Sequence, residues 1–106
     1  MATDRDEFGK FADPALLILD SLSAGAKHGY ALMADIEALT GRRLGPGTLY
    51  AALARLEARG LVRALAPMER RRPYELTEEG VRFLRRQLVE LSRFSAVGLR
   101  HLADRR

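Results

Sequence analysis

Between Gly60 and Thr77 the apolar pattern leaves the helical period for an alternating one and then returns to it, and this switch limits the architectures open to the chain. "LVRALA", Leu61 to Ala66, alternates loosely and is bounded by Pro67, while "PYEL", Pro73 to Leu76, puts Tyr74 and Leu76 on one face. The two stretches flank "PMERRR" and read as a small hairpin with a basic tip. Two strands alone are marginal in water, so helices must cover one face.

Three helical segments precede the hairpin. Asp13 followed by Pro14 forms an N-cap and N1 pair, and "PALLILDSLSAG" is apolar on nearly every side up to Gly25, which predicts a first helix buried all round. "KHGYALMADIEALTG" spaces Leu32, Met33, Ile36 and Leu39 as one buried stripe and stops at Gly41. A third helix starts after Pro46, turns Leu49, Leu53 and Leu56 inward, and ends at Gly60. After the hairpin, Thr77 is a good N-cap, Glu78 and Glu79 suit the positive helix end, and the pattern runs on to about Leu102.

That last helix carries Val81, Leu84, Leu88, Leu91, Ser95, Gly98 and Leu102 as a near-heptad seam, with Phe83 and Phe94 off it. The seam has no obvious partner within so short a chain. A second copy would supply one across a two-fold axis, and the expected contacts are Leu16, Leu17 and Leu19 of the first helix with Leu84, Leu88, Leu91, Leu99 and Leu102 of the last. The competing reading folds the long helix back over its own domain.

The expected fold is therefore mainly α with a small two-stranded β-hairpin: a winged helix-turn-helix with a long C-terminal dimerisation helix. Residues 1–12 read as an N-terminal arm or a short extra helix with Phe8 and Phe11 docked, 13–76 as the winged helix-turn-helix, and 77–103 as the dimerisation helix.

Charge narrows the function. Residues 1–41 hold three basic side chains against seven acidic ones, whereas residues 42–72 hold eight arginines against two glutamates, a net +6 inside a chain whose total is +4. Positive charge gathered in one segment suits a phosphate-backbone binder. The chain has no cysteine, its acids do not cluster as metal ligands, and no Gly-rich loop carries a phosphate or dinucleotide fingerprint, so no metal, cofactor or enzymatic activity is expected. No apolar run approaches the roughly 20 residues of a membrane span, and the N-terminus lacks an apolar signal core, which together with the cysteine count points to the cytoplasm and away from membranes.

The words themselves add to this pattern. "HGYALMADIEALTGRRLGPGTLYAALARLEARGLV" followed by "RRRPYELTEEG" closely resembles the PadR family of transcriptional regulators, over residues 15 to about 100. The resemblance implies a homodimeric winged-helix repressor of the short subgroup, joined through its first and last helices, with a small aromatic or drug-like effector as a further partner. The chain departs from the family at Ala51, where many members have proline, and in its short wing. It also has no tryptophan, so the aromatic sandwich of some drug-binding relatives is not carried over.

The expected partner is double-stranded DNA. In the third helix Gly47, Ala51, Ala54 and Ala58 lie opposite the leucines, with Thr48 and Arg55 on one flank and Tyr50 on the other. Small side chains let a helix approach a groove wall, and Thr48 and Arg55 can then reach phosphate or base. The competing reading is that alanine merely favours helix at solvent-facing positions. Tyr50 divides between core packing and a phosphate contact. Lys27, His28 and Tyr30 are expected at the N-terminal end of the second helix, where it crosses the backbone, although a helix-end hydrogen bond serves equally for His28. Arg70, Arg71 and Arg72 point alternately on the wing, so at least one should reach phosphate. A winged-helix module for protein contact without specific DNA binding is the alternative function.

Overall fold

A computed structural model describes residues 13–105, so the expected arm over residues 1–12 lies outside it. The elements run α1 (Pro14–Leu22), β1 (Lys27–His28), α2 (Gly29–Thr40), α3 (Pro46–Ala58), β2 (Val62–Ala64), β3 (Pro73–Leu76) and α4 (Glu78–Ala103). Asp13 caps α1 by accepting from the Ala15 amide at 3.0 Å, with Pro14 at the first helical position. The helix closes on Ser23, sooner than Gly25 suggested, because Ser23 already bonds back to Leu19 and Asp20 at 3.0 and 3.1 Å.

The core gathers Ile18, Leu19 and Leu22 of α1, Leu32 and Ile36 of α2, Leu49, Leu53 and Leu56 of α3, Val62 of β2 and Leu84 of α4. Burying each such side chain contributes about 1.5–3 kcal/mol, which is what holds three short helices at fixed angles. The first helix is not buried all round within the protomer: Leu16 and Leu17 are half-buried and Asp20 is exposed. Leu39 is also outside the core, 61% exposed, because Glu37, Ala38 and Leu39 continue past the neighbours that cover Leu32 and Ile36.

The hairpin is present and gains a strand. The sheet is antiparallel with order β1-β3-β2, pairing Val62 with Leu76, Ala64 with Tyr74, and on the other edge Lys27 with Tyr74 and His28 with Pro73. Lys27 and His28 therefore lie in a strand and not in the second helix, where they were expected. His28 is the residue that starts that helix, with extended backbone at φ −83° and ψ 167°.

The entry to α4 is built from backbone contacts that explain "LTEEG". The Thr77 hydroxyl accepts from the Gly80 amide at 3.0 Å and donates to the Gly60 carbonyl at 2.6 Å, while the Thr77 amide donates to the Leu61 carbonyl at 3.1 Å. Gly80 rests against that same Leu61 carbonyl, where a Cβ would overlap it. One cap thus fixes the long helix to the exit of α3. At about 1.5 Å per residue, its 26 residues span roughly 39 Å, well beyond the core it joins through Leu84.

Candidate nucleic-acid interface

The wing tip is a tight two-residue turn. Met68 and Arg71 exchange backbone hydrogen bonds at 2.7 and 2.8 Å, and Glu69 and Arg70 between them take φ of 50° and 68°. Two positive φ values match the twist of a hairpin, and they aim the following arginines back along the sheet. Arg72 donates from Nη1 to the Leu65 carbonyl at 3.1 Å, and Arg71 places Nη1 3.1 Å from His28 Nε2.

His28 receives this contact because β1 holds it opposite Pro73 on the returning wing strand. Its other ring nitrogen, Nδ1, accepts from the Ala31 amide at 3.3 Å and so caps α2. His28 thus makes the helix-end bond through one nitrogen and turns the other to the wing. Gly29 follows because the Tyr50 ring of α3 lies over it, and a Cβ there would overlap the phenol oxygen. The spacing of "HGY" and "GTLY" is thus a packing contact between the two helices of the turn.

These residues enclose a mouth of about 350 Å³, with the three wing arginines on one side and His28, Tyr30 and Tyr50 on the other, and its lining holds no carboxylate. Tyr30 is 66% and Tyr50 48% exposed, so Tyr50 packs with part of its ring and presents the remainder. Beside it Gly47, Thr48, Ala51, Ala54 and Ala58 are all exposed on α3. Gly45, the first cap residue of that helix, offers no side chain to its leading amides. Amides left open at a helix start favour an anion.

Two of the expected contact residues lie elsewhere. Lys27 turns inward: its Nζ donates to the Ser21 carbonyl at 2.8 Å and the Ser21 hydroxyl at 3.0 Å, and pairs with Asp35. Its three donors are saturated and its side chain is 20% exposed, so it bolts α1 to α2 instead of facing a ligand. Sequence reasoning missed this cluster, whose members stand six and eight residues from Lys27. Arg55 is exposed, but it lines a separate cavity of about 410 Å³ with Asp13, Arg59 and Phe83, away from the wing.

The expected dimer residues divide in the same way. Leu19 and Leu84 are 0% and 5% exposed; both belong to the protomer's own core and have no surface to give a partner. Leu88, Leu91, Leu99 and Leu102 are exposed along α4, together with Phe94 at 76%. Near the body this face opens into a groove of about 540 Å³ lined by Leu76, Val81, Leu84, Leu88 and Val89, with Arg85, Ser23 and Ser92 as its polar members. Among the described residues no helix is long and apolar enough to cross a membrane, and no cluster of three or more His, Cys, Asp or Glu is placed to hold a metal.

Comparison with known proteins places this geometry among relatives. The transcriptional regulator PadR-like family matches residues 18–86. An uncharacterized 37.1 kDa protein in transposon TN4556 of Streptomyces fradiae is 49% identical over 83 residues, which are 78% of this chain and 24% of that protein. The chain thus spans about a quarter of the length of this relative. A PadR family transcription regulator from hypervirulent Clostridium difficile is 29% identical, with a TM-score of 0.73 over 83% of this chain and 96% of the other. A transcriptional regulator from Clostridium thermocellum is 26% identical, with a TM-score of 0.72 over 94% and 97% of the two chains.

Proposed function

The chain belongs to the PadR-like family of transcriptional regulators, and from that premise we propose that it is a homodimeric, sequence-specific DNA-binding repressor acting in the cytoplasm. Two copies of α3 enter successive major grooves of a pseudo-palindromic site, and the wings grip flanking backbone. The observation that carries this reading is the wing mouth: three arginines, a histidine and two tyrosines converge beside a helix face cleared of bulk, with no carboxylate among them. Such a surface is rich in donors, whereas a protein-binding wing has no need of a bare recognition face.

Gly47 and Thr48 meet the groove at the uncapped start of α3, and Arg55 reaches the backbone on the flank away from the wing. The exposed leucines of α4 pack against a second copy, since an apolar stripe of this length is otherwise left in water. The groove beside Val81 and Leu88 offers the apolar lining that a small aromatic or drug-like effector needs. Selecting duplexes from a random pool and titrating the winner against salt tests the reading. The selected site should bind at least about tenfold tighter than random DNA, Thr48→Ala should narrow that margin, and log affinity should fall by about one unit of slope per phosphate contact. A pool that yields no duplex above random DNA leaves the protein-contact module as the function.

A further inference from the structure

Met68 is 68% exposed at the tip of the wing, the only large apolar side chain between Pro67 and Pro73, and it packs in no part of the core. The exposed tyrosines line the mouth and the exposed leucines of α4 form its stripe, but Met68 stands alone in a loop of arginines. The turn sets its direction. Met68 and Arg71 exchange both backbone hydrogen bonds, and two residues paired in this way send their side chains to the same face of a hairpin. Arg71 lines the mouth and meets His28, so Met68 emerges on the face that carries the mouth. Pro67 before it, and left-handed backbone at Glu69 and Arg70 after it, hold the tip in one shape. Glu69, the only acid of this loop, takes a turn position and does not line the mouth.

We propose that Met68 is a wedge: it enters the minor groove beside the site read by α3 and inserts its thioether partly between two base pairs, kinking the duplex there. The proposal rests on the DNA-binding reading and adds to it the place where the duplex bends. An unbranched, polarisable thioether can lie against the flat faces of bases, which a branched side chain at this tip could not do as closely. Unstacking one step costs energy, and the arginines beside the tip offset it by drawing in the phosphates on either side. Wedges of this kind bend a duplex by about 20–90° towards its major groove, the groove that α3 enters. Pyrimidine–purine steps unstack most easily, whereas runs of adenine are stiff. The wing thereby selects a flexible step at a fixed distance from the α3 site, with no hydrogen bond to any base.

Energy transfer between dyes at the two ends of a selected duplex reads the bend, and a fluorescent purine analogue placed at each flanking step in turn reads the unstacking. With wild type the ends should draw together and the analogue should brighten at one step on each flank. Replacing that step by a run of adenines should cost about tenfold in affinity. Met68→Ala should leave the duplex straight and the analogue dark, and bring the flank preference close to one. Its thermal midpoint and its salt slope should match wild type, since Met68 lies outside the core and carries no charge. Met68→Leu should restore the bend, while Met68→Gln, of similar length but polar, should not. A selected duplex that binds tightly but stays straight, or one that Met68→Ala bends as wild type does, overturns the wedge and leaves the DNA-binding reading standing. A protein that prefers no duplex to random DNA overturns both.

Discussion

Lys27 and His28 are adjacent in β1, yet they serve two regions with opposite polar logic. At the seam of α1 and α2 the ammonium of Lys27 meets a carbonyl, a hydroxyl and a carboxylate, so every donor finds an acceptor supplied by the chain. In the wing mouth the donors of Arg71, His28 and the tyrosines converge with no carboxylate among them. The difference teaches that positive charge alone does not mark a binding surface. What sets the proposed interface apart is that no carboxylate lines it.

The sharpest way to break the comparison is to show that α4 needs no partner. Leu99→Glu puts a charge on the exposed apolar stripe, twice in a symmetric dimer, and should weaken the dimer constant by about a hundredfold to ten-thousandfold, given some 1.5–3 kcal/mol for each of the two buried leucines. Analytical ultracentrifugation reads this directly, while the melting of the winged-helix body changes little.

Next comes the seam itself. Lys27→Ala removes the ammonium that joins the Ser21 carbonyl to the Asp35 carboxylate, while the Ser21 hydroxyl keeps its bond to Asp35 at 2.7 Å, so urea unfolding should report a loss of about 1 kcal/mol. Asp35 gives the same region a pH signature. The Lys27 ammonium first, and the Ser21 hydroxyl second, hold its carboxyl below the usual value of 3.8. The unfolded chain therefore takes up that proton before the folded one does. The stabilisation is fully present above the ordinary carboxylate range and is lost as pH falls through the lower folded value. Urea midpoints followed down through that window should drop more steeply in the wild type than in Lys27→Ala.

The smallest expected effect is at Arg63 and Glu75, which pair across β2 and β3 at 2.6 Å on an exposed face. Glu75→Gln should change the urea midpoint by no more than about 0.5 kcal/mol in stability, because solvent screens such pairs.

Much of the architecture was legible because periods survive in a sequence. The Leu49, Leu53 and Leu56 stripe, the face shared by Tyr74 and Leu76, and the Thr77 cap all follow from spacing and local hydrogen bonding. A two-residue strand has no period, so β1 left no signal, and with it went the position of Lys27 and His28. Leucines read as apolar whether they face a core or a partner, which is why Leu19 and Leu84 could not be told from Leu99 before burial was known. At the site, the wing arginines and "HGY" were visible as words. The contact of His28 with Arg71 was not, because it joins positions 43 residues apart through the sheet register.

The central claim is that the open charge of the wing mouth, and not the closed charge of the seam, binds DNA. Titrating one selected duplex across salt concentrations with wild type, Lys27→Ala and Arg71→Ala tests it most directly, each kept well below its unfolding midpoint. Arg71→Ala should lose about tenfold in affinity and lower the slope of log affinity against log salt by about one, while Lys27→Ala keeps both wild-type values. Equal losses in the two variants, or a slope that Arg71→Ala leaves unchanged, would contradict it.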